Sequence, residues 1–164
     1  MIGSGNWPLD GLRIIDLCSH IAGPYCSKMF VDGGASVIKV ETINGDPLRS
    51  WRASGLPVPE GEDGALFRYL NASKRSIVLD LNTEVDRGIL IDLVRVADIV
   101  LEDFGPGGLE KFDLSYNVFS EANPQVSLIS ISDWGLTGPD AKRPSTEFTL
   151  QAANGGTNSR GLYE

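Results

Sequence analysis

Histidine and cysteine are nearly absent. The 164 residues hold one His, His20, and two Cys, Cys18 and Cys26. That is too few for a disulfide framework or a four-ligand zinc site, so no metal is expected. Both cysteines read as small packing residues. Positive charge is also scarce: 14 Lys and Arg stand against 22 Asp and Glu, a formal net charge of −8. Binding to a nucleic-acid backbone needs a basic face, so nucleic acid is excluded as the main partner. A small phosphate-bearing molecule remains possible, because a local pair of cations can hold one. No apolar run approaches the ~20 residues of a membrane span. Met1–Trp7 lacks the basic-then-apolar pattern of a secretory signal. No membrane partner is therefore expected, and the cytoplasm is the default location. The G-x-G-x-x-G dinucleotide fingerprint, the P-loop and the G-x-S-x-G nucleophile elbow are all missing.

What is present is a regular alternation. Leu12–Cys18, Ser36–Glu41, Ser76–Leu81, Asp98–Glu102 and Val126–Ser132 are short, branched apolar runs of the kind that form buried strands. Between the first two, Pro24 suits the first turn of a helix, and Gly33-Gly34 suits its end. A helix over about Tyr25–Val31 is predicted there. Ile89, Leu90, Leu93, Val94 and Ala97 share one helical face within and just beyond Thr83–Val96. Leu114–Ala122 reads as a short helix and Glu147–Ala153 as a helix start. Ile43–Tyr69, rich in Gly and Pro, reads as a long irregular segment. Strand, crossover helix and strand in this order make parallel pairs. The predicted fold is α/β: an open, mostly parallel, Rossmann-like doubly wound sheet, with residues 1–164 forming one domain.

Ligands of such sheets sit beyond the carboxyl ends of the strands. His20–Tyr25, Glu41–Arg49, Asp103–Gly108 and Asp133–Pro139 all fall there. Asn71 to Ser76 leads into the third strand and carries adjacent cations, Lys74 and Arg75, suited either to phosphate oxygens or to a solvated loop. Asp103-Phe104-Gly105 joins an aromatic that could stack on a base to a glycine allowing close backbone approach; a plain turn would also use them. Trp134, Gly135 and Gly138 belong to a glycine loop whose N–H groups could face developing negative charge, or simply turn the chain. Glu147 is favoured at a helix N-terminus by the dipole alone. His20, at the end of a strand, reads as structural or as a general acid–base.

In this order the segments resemble the family III CoA-transferases. The resemblance covers roughly Pro8 to Gly156. It rests on Pro8–Leu17, Ala22-Gly23-Pro24-Tyr25, Gly34–Glu41, Gly45-Asp46-Pro47-Leu48-Arg49, Asn71–Leu81, Ala97-Asp98, Pro106-Gly107, Gly135–Pro139, Arg143-Pro144 and Gln151-Ala152. Each string is short, and the ordered set is specific. The resemblance implies coenzyme A or an acyl-CoA as substrate, with a carboxylic acid as the other partner. It also implies that Asn71, Lys74 and Arg75 lie near the CoA phosphates and that Asp103, Phe104 and Gly105 border its adenine. The family nucleophile is read as the carboxylate four residues before Gln151-Ala152, usually Asp and here Glu147. Its attack on a thioester would give a mixed anhydride and then a glutamyl-CoA thioester. The backbone of Trp134, Gly135 and Gly138 would steady the oxyanions. Two other positions depart from the pattern: Gly105 replaces an Arg, and Asp133 replaces a glycine.

Two further readings stand beside transfer. A racemase of the same family pairs a His with the carboxylate, and no His lies between the fourth strand and the glycine loop. The resemblance also implies longer relatives, with a small domain and a returning segment after the region seen here. The chain is thus expected to be a fragment, either inactive or completed by a partner chain. A full-length form would be an interlocked homodimer.

Overall fold

Period-two burial builds the sheet. Ile14 and Ile15 are both buried, yet they enter different cores on opposite faces, as successive strand residues must. The computed structural model describes residues 7–157 and 159. Its five strands are β1 (Arg13–Asp16), β2 (Ser36–Glu41), β3 (Arg75–Val78), β4 (Ile99–Glu102) and β5 (Ser127–Ser130). They lie in the order β3-β2-β1-β4-β5, and every pair is parallel. Ile15 stands opposite Ile38 on one side and Val100 on the other.

Helices cover both faces, as a parallel sheet requires. α1 (Ala22–Asp32) packs on β1 and β2, where Phe30 and Val31 meet Ile14, Val37 and Leu101. Gly23 in its first turn lies so close to the chain just past β1 that an added Cβ would sit 2.0 Å from Cys18 Cβ. α3 (Glu84–Val94) and α4 (Tyr116–Ala122) cover the other face, where Leu90, Val94 and Phe119 are fully buried with Ile15, Val40 and Val100. Thr83 caps α3 by accepting from the Asp86 N–H at 3.2 Å. α5 (Glu147–Ala153) opens on a capping box of Thr146 and Thr149.

The segment expected to be irregular is partly ordered. It contains a 3₁₀ turn at Pro47–Arg49 and α2 (Ala65–Asn71). Phe67 and Leu70 of α2 pack on Leu48 in a small core of their own. Among the described residues no helix is long and apolar enough to cross a membrane.

Candidate functional site

β1 lies between β2 and β4, so the chain leaves it in opposite directions on its two sides. This is the switch point at which open α/β sheets bind ligands. Two clefts open there, at the carboxyl ends of the strands. The first, of about 570 Å³, is lined by the ends of β1 and β2, the Thr42–Pro47 loop, Leu79–Asn82 after β3, Asp103 and Phe104 after β4, and Phe112. The second, of about 390 Å³, lies over β1, β4 and β5 and shares Ser19, Asp103 and Phe104 with the first.

The first cleft is apolar in its walls and acidic in its polar groups. Phe104 and Phe112 meet with ring centroids 5.7 Å apart at 58°. Lys39, its only cation, is consumed: its Nζ lies 2.9 Å from Asp46 Oδ2 and donates to the Cys18 carbonyl at 2.8 Å. Glu41 accepts from Arg49 Nε and Nη2, each at 2.7 Å, and from the Asp46 N–H at 3.1 Å. Burial opposes ionisation of Glu41. The Arg49 hydrogen bonds, the Asp46 N–H and the nearby cations outweigh it and hold the carboxyl below its usual range. Arg49 also donates to Asp63 at 2.8 Å and lies 4.0 Å over the Phe67 ring, so it ties the loop after β2 to α2. Among the described residues, neither Asp80 nor Asp103 forms an ion pair. Asn82 holds the Asp80 carboxyl low through its N–H and side-chain amide. Burial pushes the Asp103 carboxyl up despite the Ser19 N–H that it accepts at 2.9 Å. Burial and Asp16 push the Cys18 thiol up, out of the range of a nucleophile.

The sequence-predicted residues divide. Asp103, Phe104 and Gly105 come together with Trp134 at the second cleft, and Asp103 and Phe104 face the first as well. Gly105 has φ of 72°, a left-handed turn that glycine adopts freely and the family's Arg would not. Gly135 and Gly138 turn the glycine loop with φ of 82° and 96°. Asp133 is engaged by the Ser145 hydroxyl, which donates to its carboxylate. Lys74 and Arg75 do not reach either cleft. Lys74 is buried beneath the sheet edge and spends its three protons on Asp16 (3.2 Å), the Pro24 carbonyl (2.9 Å) and Asn71 Oδ1 (2.8 Å). Arg75 opens β3 at the opposite edge of the sheet and donates to Ser36 Oγ at 2.8 Å. Glu147 is exposed at the start of α5, accepts from Gln151 Nε2 at 2.6 Å and lines neither cleft. His20 lines the second cleft with φ of 57°, rare for a residue with a Cβ.

Leu79–Asn82 and Arg143 were missed as cleft residues. Leu79–Leu81 falls inside the predicted strand Ser76–Leu81, whereas the observed β3 ends at Val78 and leaves Leu79–Asn82 at its carboxyl end. No group of three or more His, Cys, Asp or Glu placed to hold a metal occurs among the described residues.

Known proteins are similar to this chain in sequence and in fold. The chain is 40% identical over 151 residues to a succinyl-CoA:mesaconate CoA-transferase of Haloarcula hispanica, covering 90% of this chain and 38% of that protein. It is 40% identical over 154 residues to a succinate–glutarate CoA-transferase of Agrobacterium fabrum, with the same coverage, 90% and 38%. A solved CaiB/BaiF family protein from Brucella suis superposes with a TM-score of 0.84 at 40% identity, over 92% of this chain and 40% of that one. The chain thus spans about 38% of the length of these curated relatives. Residues 9–163 match the family described as CoA-transferase family III, and the chain belongs to that family.

Proposed function

We propose that this chain forms the CoA-binding part of an enzyme that moves CoA from an acyl-CoA to a carboxylic acid. The observation that carries this reading is the first cleft, at the switch point of the sheet. Its aromatic and aliphatic walls suit a purine, and its carboxylates suit ribose hydroxyls or an exocyclic amine, which donate hydrogen bonds. With the nucleoside end there, the pantetheine arm passes Ser19, Asp103 and Phe104 into the second cleft, where the thioester meets the Trp134–Gly138 loop. Backbone N–H groups of that loop would steady the oxyanion. Lys74 and Arg75 have no place in this reading, because one is consumed inside the fold and the other lies on the far edge.

On the transferase reading the covalent step falls to Glu147. Its carboxylate attacks the thioester carbonyl, and CoA thiolate leaves, giving an acyl-glutamyl anhydride. The thiolate then attacks the glutamyl carbonyl, releasing the donor acid and leaving glutamyl-CoA. The acceptor acid repeats the steps in reverse. An anhydride on an exposed side chain meets water, so turnover needs further walls around Glu147. The exposure of Glu147, outside both clefts, favours a second reading: this chain binds CoA and the reacting carboxylate is supplied from elsewhere.

Calorimetry with CoA, followed by incubation with an acyl-CoA and hydroxylamine, separates the two. Binding with a hydroxamate at Glu147, located by peptide mass spectrometry, supports the covalent step. Binding without an adduct removes Glu147 as nucleophile and leaves the CoA-binding part standing. A folded chain that does not bind CoA sinks both.

A further inference from the structure

A third cavity lies at the other end of the sheet, where the strands begin. It holds about 80 Å³, and its apolar lining includes Ile38, Leu93 and Val96. Arg13, Ser36 and Arg75 line it as well. These three are the first residues of β1, β2 and β3. Period-two alternation puts them on the same sheet face as Ile15, Ile38 and Ile77, which join the core under α3. Ser36 is the direct cross-strand neighbour of Arg13. From the other side Arg75 reaches over and donates to Ser36 Oγ at 2.8 Å.

Neither guanidinium has a full partner. Fourteen cations face 22 acids in this chain, yet among the described residues Arg75 meets no carboxylate, only the neutral Ser36 hydroxyl. Arg13 Nε lies 3.6 Å from Asp98 Oδ2, beyond hydrogen-bond range, and that oxygen already accepts the Arg13 backbone N–H at 2.7 Å. Both side chains of that pair are largely exposed, at 55% and 42%, so it neutralises Arg13 weakly.

The ligand that fits has a flat anionic head and a short apolar tail. A carboxylate takes parallel bonds from a guanidinium fork, and Ser36, which accepts from Arg75, keeps its own proton to donate. At roughly 30 Å³ for a group the size of a water, the cavity of about 80 Å³ takes about three carbons. We propose that Arg75, Ser36 and Arg13 form a binding site for a short-chain aliphatic monocarboxylate, whose tail lies among Ile38, Leu93 and Val96. The site is independent of where CoA binds, since it sits at the amino ends of strands whose carboxyl ends border the first cleft.

The test is an amide NMR titration of the full nitrogen-15-labelled chain with butyrate, acetate or inorganic phosphate at constant ionic strength. Butyrate is expected to give saturable shifts at residues 36, 75, 93 and 96. Acetate, two methylenes shorter, should bind about tenfold more weakly. Arg75→Gln should weaken butyrate by at least about tenfold, since it removes a charged hydrogen-bond donor. Arg75→Lys should recover part of that loss, because it keeps the charge without the fork. The spectrum of each variant shows whether it is folded. Should Arg75→Gln not fold, Arg75→Lys and the acetate comparison on the native chain still decide. Equal affinity for acetate and butyrate overturns the proposal, because the cavity would then hold no tail. Phosphate binding as tightly as butyrate overturns it too, leaving only a basic patch. So do butyrate shifts confined to the Trp134–Gly138 loop, which would put the acid at the carboxyl edge.

Discussion

Asp16 has no exposed surface, and three groups make its burial tolerable. Ser27 Oγ donates to it at 2.5 Å, the Cys18 N–H at 3.0 Å and Lys74 Nζ at 3.2 Å. Burial pulls the Lys74 ammonium below its ordinary range, and Asp16 works against that pull. Removing one member of such a pair strands the other charge in the interior, at a cost of about 3–5 kcal/mol. Lys74→Met is therefore expected to lower unfolding free energy by about 3 kcal/mol in urea titrations. The affinity of the remaining folded protein for CoA should be unchanged. An unaltered urea midpoint with a large loss of CoA affinity would return Lys74 to the phosphate role. The adjacent cations were legible in the sequence, but their directions were not. Lys74 follows Ser73 at φ of 66° and turns inward under α1, whereas Arg75 begins the strand facing the other edge. Asp103 and Phe104 were legible because a residue just past a buried strand has one place to go, the carboxyl edge of the sheet.

In the first turn of α1, Gly23 lies hard against Cys18, two residues past the end of β1. A Cβ on Gly23 would fall 2.0 Å from Cys18 Cβ and 2.3 Å from its Sγ. Neither atom has room to move, since Cys18 is buried against Ile14, Val37 and Leu101. Gly23→Ala must lift the first turn of α1 and with it the Ser19–Ala22 connection that borders the second cleft. Overpacking of this kind costs about 1–3 kcal/mol. The expected result is a lower melting temperature for Gly23→Ala, partly recovered in the double variant with Cys18→Gly. A purely local propensity effect would show no such coupling in the double-mutant cycle. The five strands could be read from branched apolar runs, though the ladders are mostly shorter than the runs, as in Arg13–Asp16 within Leu12–Cys18. Apolarity continues past the last ladder bond because Leu17 and Cys18 still pack in the cores. α2 escaped notice for the opposite reason. It has two buried apolar side chains, sits after a Gly- and Pro-rich stretch, and is held by tertiary contacts rather than by its own pattern.

Across the whole molecule, the apolar interior is divided unequally. Two cores sandwich the sheet, and the third, Leu48 with Phe67 and Leu70, stands apart beside the loop after β2. That loop is joined to β2 through the Glu41–Arg49 and Lys39–Asp46 ion pairs, and its Thr42–Pro47 part is one wall of the first cleft. Alternation of strands and helices predicted the layers. It could not show that this detached core would prop the cleft wall, because that depends on an ion pair eight residues apart across a turn. Segments with few buried apolar contacts open below the global unfolding free energy. Amides of α2 should therefore exchange with deuterium faster than those of β1 and β4. If CoA binds in the first cleft, it binds the closed wall and not the opened one. At a ligand concentration 100 times Kd, opening then costs up to about 2.7 kcal/mol more, or about 100-fold slower exchange. Mass-resolved exchange should show this slowing across 42–71, with little change in α4, which lies away from the cleft. Protection confined to another region, with CoA bound, would move the nucleotide out of the first cleft. Protection of 42–71 would tie substrate binding to the ordering of a segment that packs its small core beside the sheet rather than in it.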